Sequence, residues 1–305
     1  MKKKTLMLSL AVVLSFWIAA CSKKVSEEQS HSSHADSSFM HIHGLGYSPD
    51  GKRLLIPVHN GLSVYADGKW SEGLGEKHDY MGFAVADNGF YSSGHPAPGS
   101  IYKNPLGLIK STNDGKTISV LSLDGEVDLH GMAVGYQTHT LYVLNPQPNS
   151  KMKKPGLYYS LDEGQTWTSC SMTGLQGQIT AIAAHPTEKS VVAVGTTTGA
   201  YLSRDNGQTF TVMLEGRPVS TVMVLESGET VVATSGPDAA LSIVSAETKQ
   251  TVMIKMPNMY GISFIAQNPV NSKELAVATE QKDIYISTDN GTTWREIVSR
   301  GVKSN

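Results

Sequence analysis

Ser160-Leu161-Asp162-Glu163-Gly164-Gln165-Thr166-Trp167 is one of four versions of the same octapeptide in this 305-residue chain. Ser203 opens a second complete version, with Asp205, Gly207 and Phe210 in the matching places, and Ser287 opens a third, with Asp289, Gly291 and Trp294. Ser111-Thr112-Asn113-Asp114-Gly115-Lys116-Thr117-Ile118 keeps the Ser, Gly and Thr. The pattern Ser-x-Asp-x-Gly-x-Thr-aromatic is the chemistry of a hairpin corner. A short carboxylate bonds nearby backbone N–H groups, glycine takes a positive φ, and Thr followed by an aromatic restarts a strand.

The octapeptides start at 111, 160, 203 and 287, so they are separated by 49, 43 and 84 residues, the last being twice 42. A worn copy is therefore expected near 245, where Ser245-Ala246-Glu247-Thr248-Lys249-Gln250-Thr251-Val252 stands, and Val64 to Trp70 holds a shortened corner upstream. Between corners the chain repeats a short inner strand, as in His43-Gly44-Leu45, Met81-Gly82-Phe83, His130-Gly131-Met132, Thr180-Ala181-Ile182 and Tyr260-Gly261-Ile262. An apolar second strand follows, such as Arg53 to Val58, Thr140 to Leu144, Val191 to Val194 or Glu274 to Ala278. Helical periodicity is absent after the first forty residues. The count is six four-stranded units beginning near 40, 78, 127, 178, 218 and 258, or seven if a terminal strand pair is hidden.

The octapeptide resembles the Asp-box, or BNR repeat, of sialidase-like and sortilin-like β-propellers. The resemblance implies an all-β, six-bladed propeller, seven-bladed as the alternative, over residues 39–300 as a single domain. That family includes hydrolases, receptors and assembly factors, so the repeat defines architecture and leaves the activity open. Its Ser, Asp, Gly and Thr read as folding determinants, and Trp167 and Trp294 as packing between blades.

Lys2, Lys3 and Lys4 precede an apolar run from Leu6 to Ile18 that ends in Ile18-Ala19-Ala20-Cys21. This is the grammar of a signal peptide over residues 1–20, too short for a membrane span. Its end resembles a bacterial lipobox, which implies lipidation of Cys21 and an extracytoplasmic protein anchored to the bacterial cell membrane. Residues 21–38, rich in Ser, Lys, Glu and His, read as a flexible tether, and His31 and His34 as solvated linker residues. Without residues 1–20 the chain keeps 22 basic and 27 acidic side chains, a net charge of −5. A nucleic-acid partner is not expected. Cys170 is then the only cysteine left beside Cys21, so no disulfide is expected, and the chain is read as a monomer.

In a propeller the first strand of each blade lines the channel, and its start lies on the same face as the loop joining strands two and three. The corner hairpins lie on the opposite face. The channel mouth is therefore expected to collect His41, His43, His59, Asp79, Met81, His95, Asp128, His130, Gln178, Thr180 and Tyr260, with His78 adjacent. Five of the chain's ten histidines fall there. Pro-rich inserts at 94–99 and 145–149 lengthen loops on the same face. Neutral imidazoles, carboxylates that fix their tautomers, and a thioether are the donors of a copper or zinc site, with His41, His43, His59, Met81, His95 and His130 as candidate ligands.

The alternative is a glycoside hydrolase using two of Asp79, Glu126 and Asp128 as acid and base. A sialidase is disfavoured, since that family uses three arginines for its substrate carboxylate, and of Arg53, Arg204, Arg217, Arg295 and Arg300 only Arg217 faces the mouth. The leading expectation is a ligand-binding propeller, either non-catalytic or metal-linked, whose ligand is a transition metal, a small molecule, a glycan or a protein; the competing reading of the histidines is a polar ring that hydrogen-bonds water, blade termini or an organic ligand. A surface scaffold for another protein is the third reading.

Overall fold

The computed structural model describes residues 38–258 and 261–304, and every regular element in them is a strand. The signal segment, Cys21, His31, His34 and Tyr260 lie outside the described residues. Six antiparallel meanders follow one another along the chain, each pairing only its own consecutive strands. Their inner strands are Gly46–Tyr47, Asp79–Ala86, Gly131–Val134, Ile179–Ala184, Val219–Val224 and Ile262–Asn268. Each inner strand neighbours the next, and the last neighbours the first, so the sheets close into a ring. The protein is a six-bladed β-propeller, as the repeat spacing predicts.

Two boundaries differ from expectation. The inner strand of blade 1 starts at Gly46, after His43, because Pro57 on the facing strand accepts the His43 N–H at 2.9 Å but has no N–H to return. At the other end a fifth strand, Val302–Lys303, lies beyond the expected limit of 300 and pairs with Arg295–Ser299. Ser38 bridges Val302, and the Phe39 N–H donates to the Gly301 carbonyl at 2.7 Å, so the two ends of the described residues meet on the outer side of blade 6.

The corner octapeptides repeat one hydrogen-bond scheme. Ser160 Oγ donates to Asp162 Oδ1 at 2.8 Å and accepts the Gly164 N–H at 2.8 Å, while Asp162 accepts the N–H and hydroxyl of Thr166 at 2.9 and 2.6 Å. The copies at Ser203 and Ser287 match these distances within 0.1 Å. Those bonds hold the Asp162 carboxyl down at about 2, the Thr166 hydroxyl contributing most. The residue before each glycine is also left-handed, as at Glu163 (φ 53°) and Asn206 (φ 57°). In the worn corner of blade 5, Ser245 Oγ accepts the Thr248 N–H and Lys249 takes the positive φ.

These corners also join blades. A Cβ added at Gly164 would meet Leu108 of blade 2, one at Gly207 would meet Cys170 of blade 3, and one at Gly291 would meet Ile254 of blade 5. Trp167 packs against the buried cluster shared by blades 2 and 3, and Trp294 donates its indole N–H to the Lys255 carbonyl of blade 5 at 2.9 Å. Cys170 is buried and unpaired, with its thiol pushed up to about 12 by burial.

Two buried histidines serve as acceptors within the fold. His185 Nδ1 takes the N–H groups of Thr187 and Glu188 at 3.2 and 3.1 Å, and His78 Nδ1 takes the Ala97 N–H at 3.0 Å, fastening the Pro-rich insert of blade 2. Burial holds both below the ordinary value of 6.5. Since the unfolded chain binds these protons near pH 6.5 and the folded chain binds them only at lower pH, their contribution is complete above pH 6.5 and lost as pH falls toward the folded values. The urea midpoint should therefore decline on acidification from about pH 7.5 to about pH 5.5. His185→Gln should flatten part of that slope, and a midpoint that rises on acidification would contradict it.

Candidate functional site

Each mouth residue sits where strand direction puts it. His43 precedes the inner strand of blade 1, and His59 directly follows the second strand, Leu54–Val58. Asp79 opens the inner strand of blade 2, and His95 ends that blade's second strand, Gly89–His95. The backbones of Asp79 and His95 are ladder partners, while Asp128 and His130 stand just before the inner strand of blade 3.

At the junction of blades 1 and 2, His59 Nδ1 lies 2.9 Å from Asp79 Oδ2 and 3.3 Å from His43 Nε2, and His43 Nε2 lies 3.5 Å from Asp79 Oδ1. One donor atom from each of His43, His59 and Asp79 falls within 4.8 Å of the others. Two ligands bound to tetrahedral zinc at about 2.0–2.1 Å stand roughly 3.3 Å apart, so the set has the edge lengths of such a site. The His41 ring lies 4.9 Å from that of His59 and 6.1 Å from that of His43, centroid to centroid. Burial lowers the His43 pKa, Asp79 opposes the shift, and His59, His41 and His130 add to it. At neutral pH His43 is therefore uncharged, as a metal ligand must be. Asp79 Oδ1 is buried without a hydrogen-bond partner.

At the junction of blades 2 and 3, His130 Nε2 lies 2.6 Å and His95 Nε2 3.3 Å from the same oxygen, Asp128 Oδ2. His95 Nδ1 is 2.6 Å from Asn104 Oδ1. Asn104, which sequence reasoning passed over, lies in the long loop between strands two and three of blade 2 and is recognisable only once the ring is folded.

Other expected residues are placed apart from these sets. Glu126 is exposed and accepts the Ser150 N–H and hydroxyl at 2.7 and 2.8 Å, bonds that lower its pKa and cap the insert of blade 3. Met81 is half-buried in a bulge of the blade 2 inner strand. Thr180 donates to the Val219 carbonyl at 2.6 Å, joining blades 4 and 5. The His78 ring belongs to loop fastening rather than to the donor sets. Arg53 bonds Asp114 of blade 2 and Arg295 bonds the Tyr65 hydroxyl of blade 1, so both are struts between blades.

A cleft of about 290 Å³ adjoins the first set, lined by Met40, His41 and Ile42 together with Ser263, Phe264, Thr279, Glu280 and Lys282 of blade 6. The channel itself contains a separate cavity of about 300 Å³ lined by apolar side chains such as Leu45, Phe83, Val85, Met132, Ile182 and Val222 together with polar ones such as Gln137, Glu226, Gln267 and Asn268. The mouth histidines do not line it.

The BNR/Asp-box repeat model matches residues 158–169 and 285–296, the corners of blades 3 and 6. The chain is thus a β-propeller carrying BNR/Asp-box repeats. It is similar in fold to the GH74 enzyme of Niastella koreensis, at 16% identity and a TM-score of 0.59, over 86% of this chain and 46% of that one. It is also similar to a chain of the nidogen/laminin complex, at 10% identity and a TM-score of 0.60, over 81% of this chain and 92% of that one. YCF48 bound to D1 peptide shares the fold at 14% identity, with a TM-score of 0.51 and coverage of 88% and 86%. The chain spans less than half the length of the GH74 enzyme. A comparison with curated protein sequences gives no match.

Proposed function

We propose that this chain is an envelope-anchored lipoprotein whose propeller binds a transition metal, zinc or copper, at its histidine-rich mouth and uses that centre to hold a ligand. The observation that carries the reading is the convergence of His43, His59 and Asp79 from two blades, with donor atoms within 4.8 Å of one another. Imidazole nitrogens with one carboxylate suit zinc or Cu(II). The cleft beside His41 supplies room for a small molecule or a chain end next to the metal. The lipid anchor is proposed on Cys21 and the preceding apolar run.

Fold likeness to a GH74 enzyme supports glycoside hydrolysis as the second reading, with Asp79 and Asp128 as its carboxyls. Both of these carboxylates are engaged by histidines, as metal-site carboxylates are, which favours binding.

The test is metal analysis of the full-length chain, purified without a polyhistidine tag and dialysed after loading with zinc or copper. At least one equivalent per chain is expected to remain. Retention below about a tenth of an equivalent of either metal removes the metal reading. Hydrolysis of an aryl glycoside panel that disappears in Asp79→Asn and in Asp128→Asn would establish the hydrolase instead.

A further inference from the structure

The channel cavity stands apart from the mouth and has a chemistry of its own. All six blades build its wall, contributing Leu45, Phe83, Met132, Ile182, Val222 and Ile265 in turn. Ile182 and Ile265 sit within inner strands yet keep part of their surface free, and at the centre of a closed ring that surface faces the channel. Gln137, Pro186, Glu226 and Pro269, each following the end of an inner strand, line the far end of the cavity. Inner strands start at the mouth, so the cavity opens on the opposite face, among the turns between first and second strands.

Two kinds of group would meet an occupant. The side chains in the depth favour an apolar body. Each inner strand is also the edge of its sheet, paired on one side only, so backbone N–H and C=O groups on its free side look into the channel. A wholly apolar guest would strip water from those groups and leave them unpaired. An apolar body that also carries hydrogen-bond donors fits better. Charge decides the sign of its polar end. Glu226 is the only charged side chain in the lining, and it stands exposed at the rim. No lysine, arginine or histidine lines the cavity, so an organic anion meets nothing to pair with. Burial holds His185, the neighbour of the rim residue Pro186, below its ordinary value, so that imidazole does not neutralise Glu226 at pH 7. Phe83 and Tyr136 add aromatic lining, a surface that attracts cations.

We propose that the channel cavity is a binding site, open on the corner face, for a small organic cation: an amine whose apolar body lies along the wall and whose ammonium group meets Glu226 at the rim. It shares no residue with the histidine mouth or the cleft beside it, and it stands or falls separately from the metal reading.

The test titrates 4-phenylbutylamine into the full-length, tag-free chain near pH 7.5, where the amine is protonated, with a chelator present so that metal at the mouth plays no part. Calorimetry should show one amine per chain. The neutral counterpart 4-phenylbutanol should bind at least about 5-fold more weakly, and 5-phenylpentanoate more weakly again. Glu226→Gln should bring the amine down to the affinity of the alcohol and leave the alcohol unchanged. Because Glu226 is exposed, the melting temperature should not move. Glu226→Lys should reverse the order and place 5-phenylpentanoate above the amine. Ala183→Leu, a larger side chain on the cavity wall, should weaken amine and alcohol alike, by roughly 10-fold. No amine binding, or equal affinities for amine and alcohol in the unaltered chain, would overturn the proposal. Amine binding unchanged by Glu226→Gln, or by Ala183→Leu in a folded chain, would put the amine outside the cavity and overturn it as well. If Ala183→Leu fails to fold, the charge reversal at Glu226 decides, and an unreversed order refutes the site.

Discussion

In Asp79→Asn, zinc at about one hundred times the dissociation constant of the unaltered chain should raise the melting temperature far less than it does in that chain. A ligand held only by the folded state stabilises it by about 2.7 kcal/mol at one hundred times its dissociation constant. For a domain of this size that is a rise of roughly 5–10 °C in the unaltered chain. Asp79 touches both His59 and His43, at 2.9 and 3.5 Å, and supplies the only negative charge of the three-residue set. Asparagine keeps the shape and one hydrogen bond but loses that charge, so zinc affinity at this junction should fall by roughly 100-fold. Stability of the metal-free protein should stay level or rise, because the carboxylate oxygen now buried without a partner is replaced by a neutral group. Scanning calorimetry with and without zinc separates the two effects. An undiminished zinc shift in this variant would place the ion elsewhere. A large loss of metal-free stability would make Asp79 a structural residue.

The largest effect on stability belongs to the opposite face. Gly164→Ala should cost about 2–4 kcal/mol, the left-handed backbone contributing about 1–2 kcal/mol and overpacking the rest. A Cβ at Gly164 would stand 2.3 Å from Leu108 Cδ2, and Leu108 is fully buried with nowhere to retreat. The melting temperature should drop by roughly 5–15 °C. Gly68→Ala supplies the control, having a similar φ of +77° and nothing within 4 Å, so it carries only the backbone cost. Zinc stoichiometry should be unchanged in both, since the corners lie away from the mouth. Equal destabilisation by the two changes would refute packing between blades as the role of the corner glycine, and lost zinc in a still-folded Gly164 variant would refute its purely structural role.

Legibility along the chain followed how local the information is. The corner octapeptide closes its own hydrogen bonds within eight residues, from Ser160 to Trp167, so its copies were readable and their spacing counted the blades. Strand order followed too, because consecutive short strands joined by tight turns can pair only as meanders. The final strand at Val302–Lys303 was missed because it is only two residues long and, besides its ladder to Arg295–Ser299, is held by a bridge to Ser38, far away in the sequence.

The mouth is the reverse case. His43, His59 and Asp79 were separately placed on one face by strand direction, yet nothing in their spacing says that they touch. Glu126 shows the same limit from the other side: as a residue beside Asp128 it was an equal candidate, and folding commits it to Ser150 instead. The sequence by itself determined the blade count, the position of each corner and the face on which the histidines gather, since all three depend on hydrogen bonds and strand directions that are local. Only the tertiary structure decided which histidine meets which carboxylate, because those pairs are made across blade junctions, where ring closure rather than chain neighbourhood sets the distance.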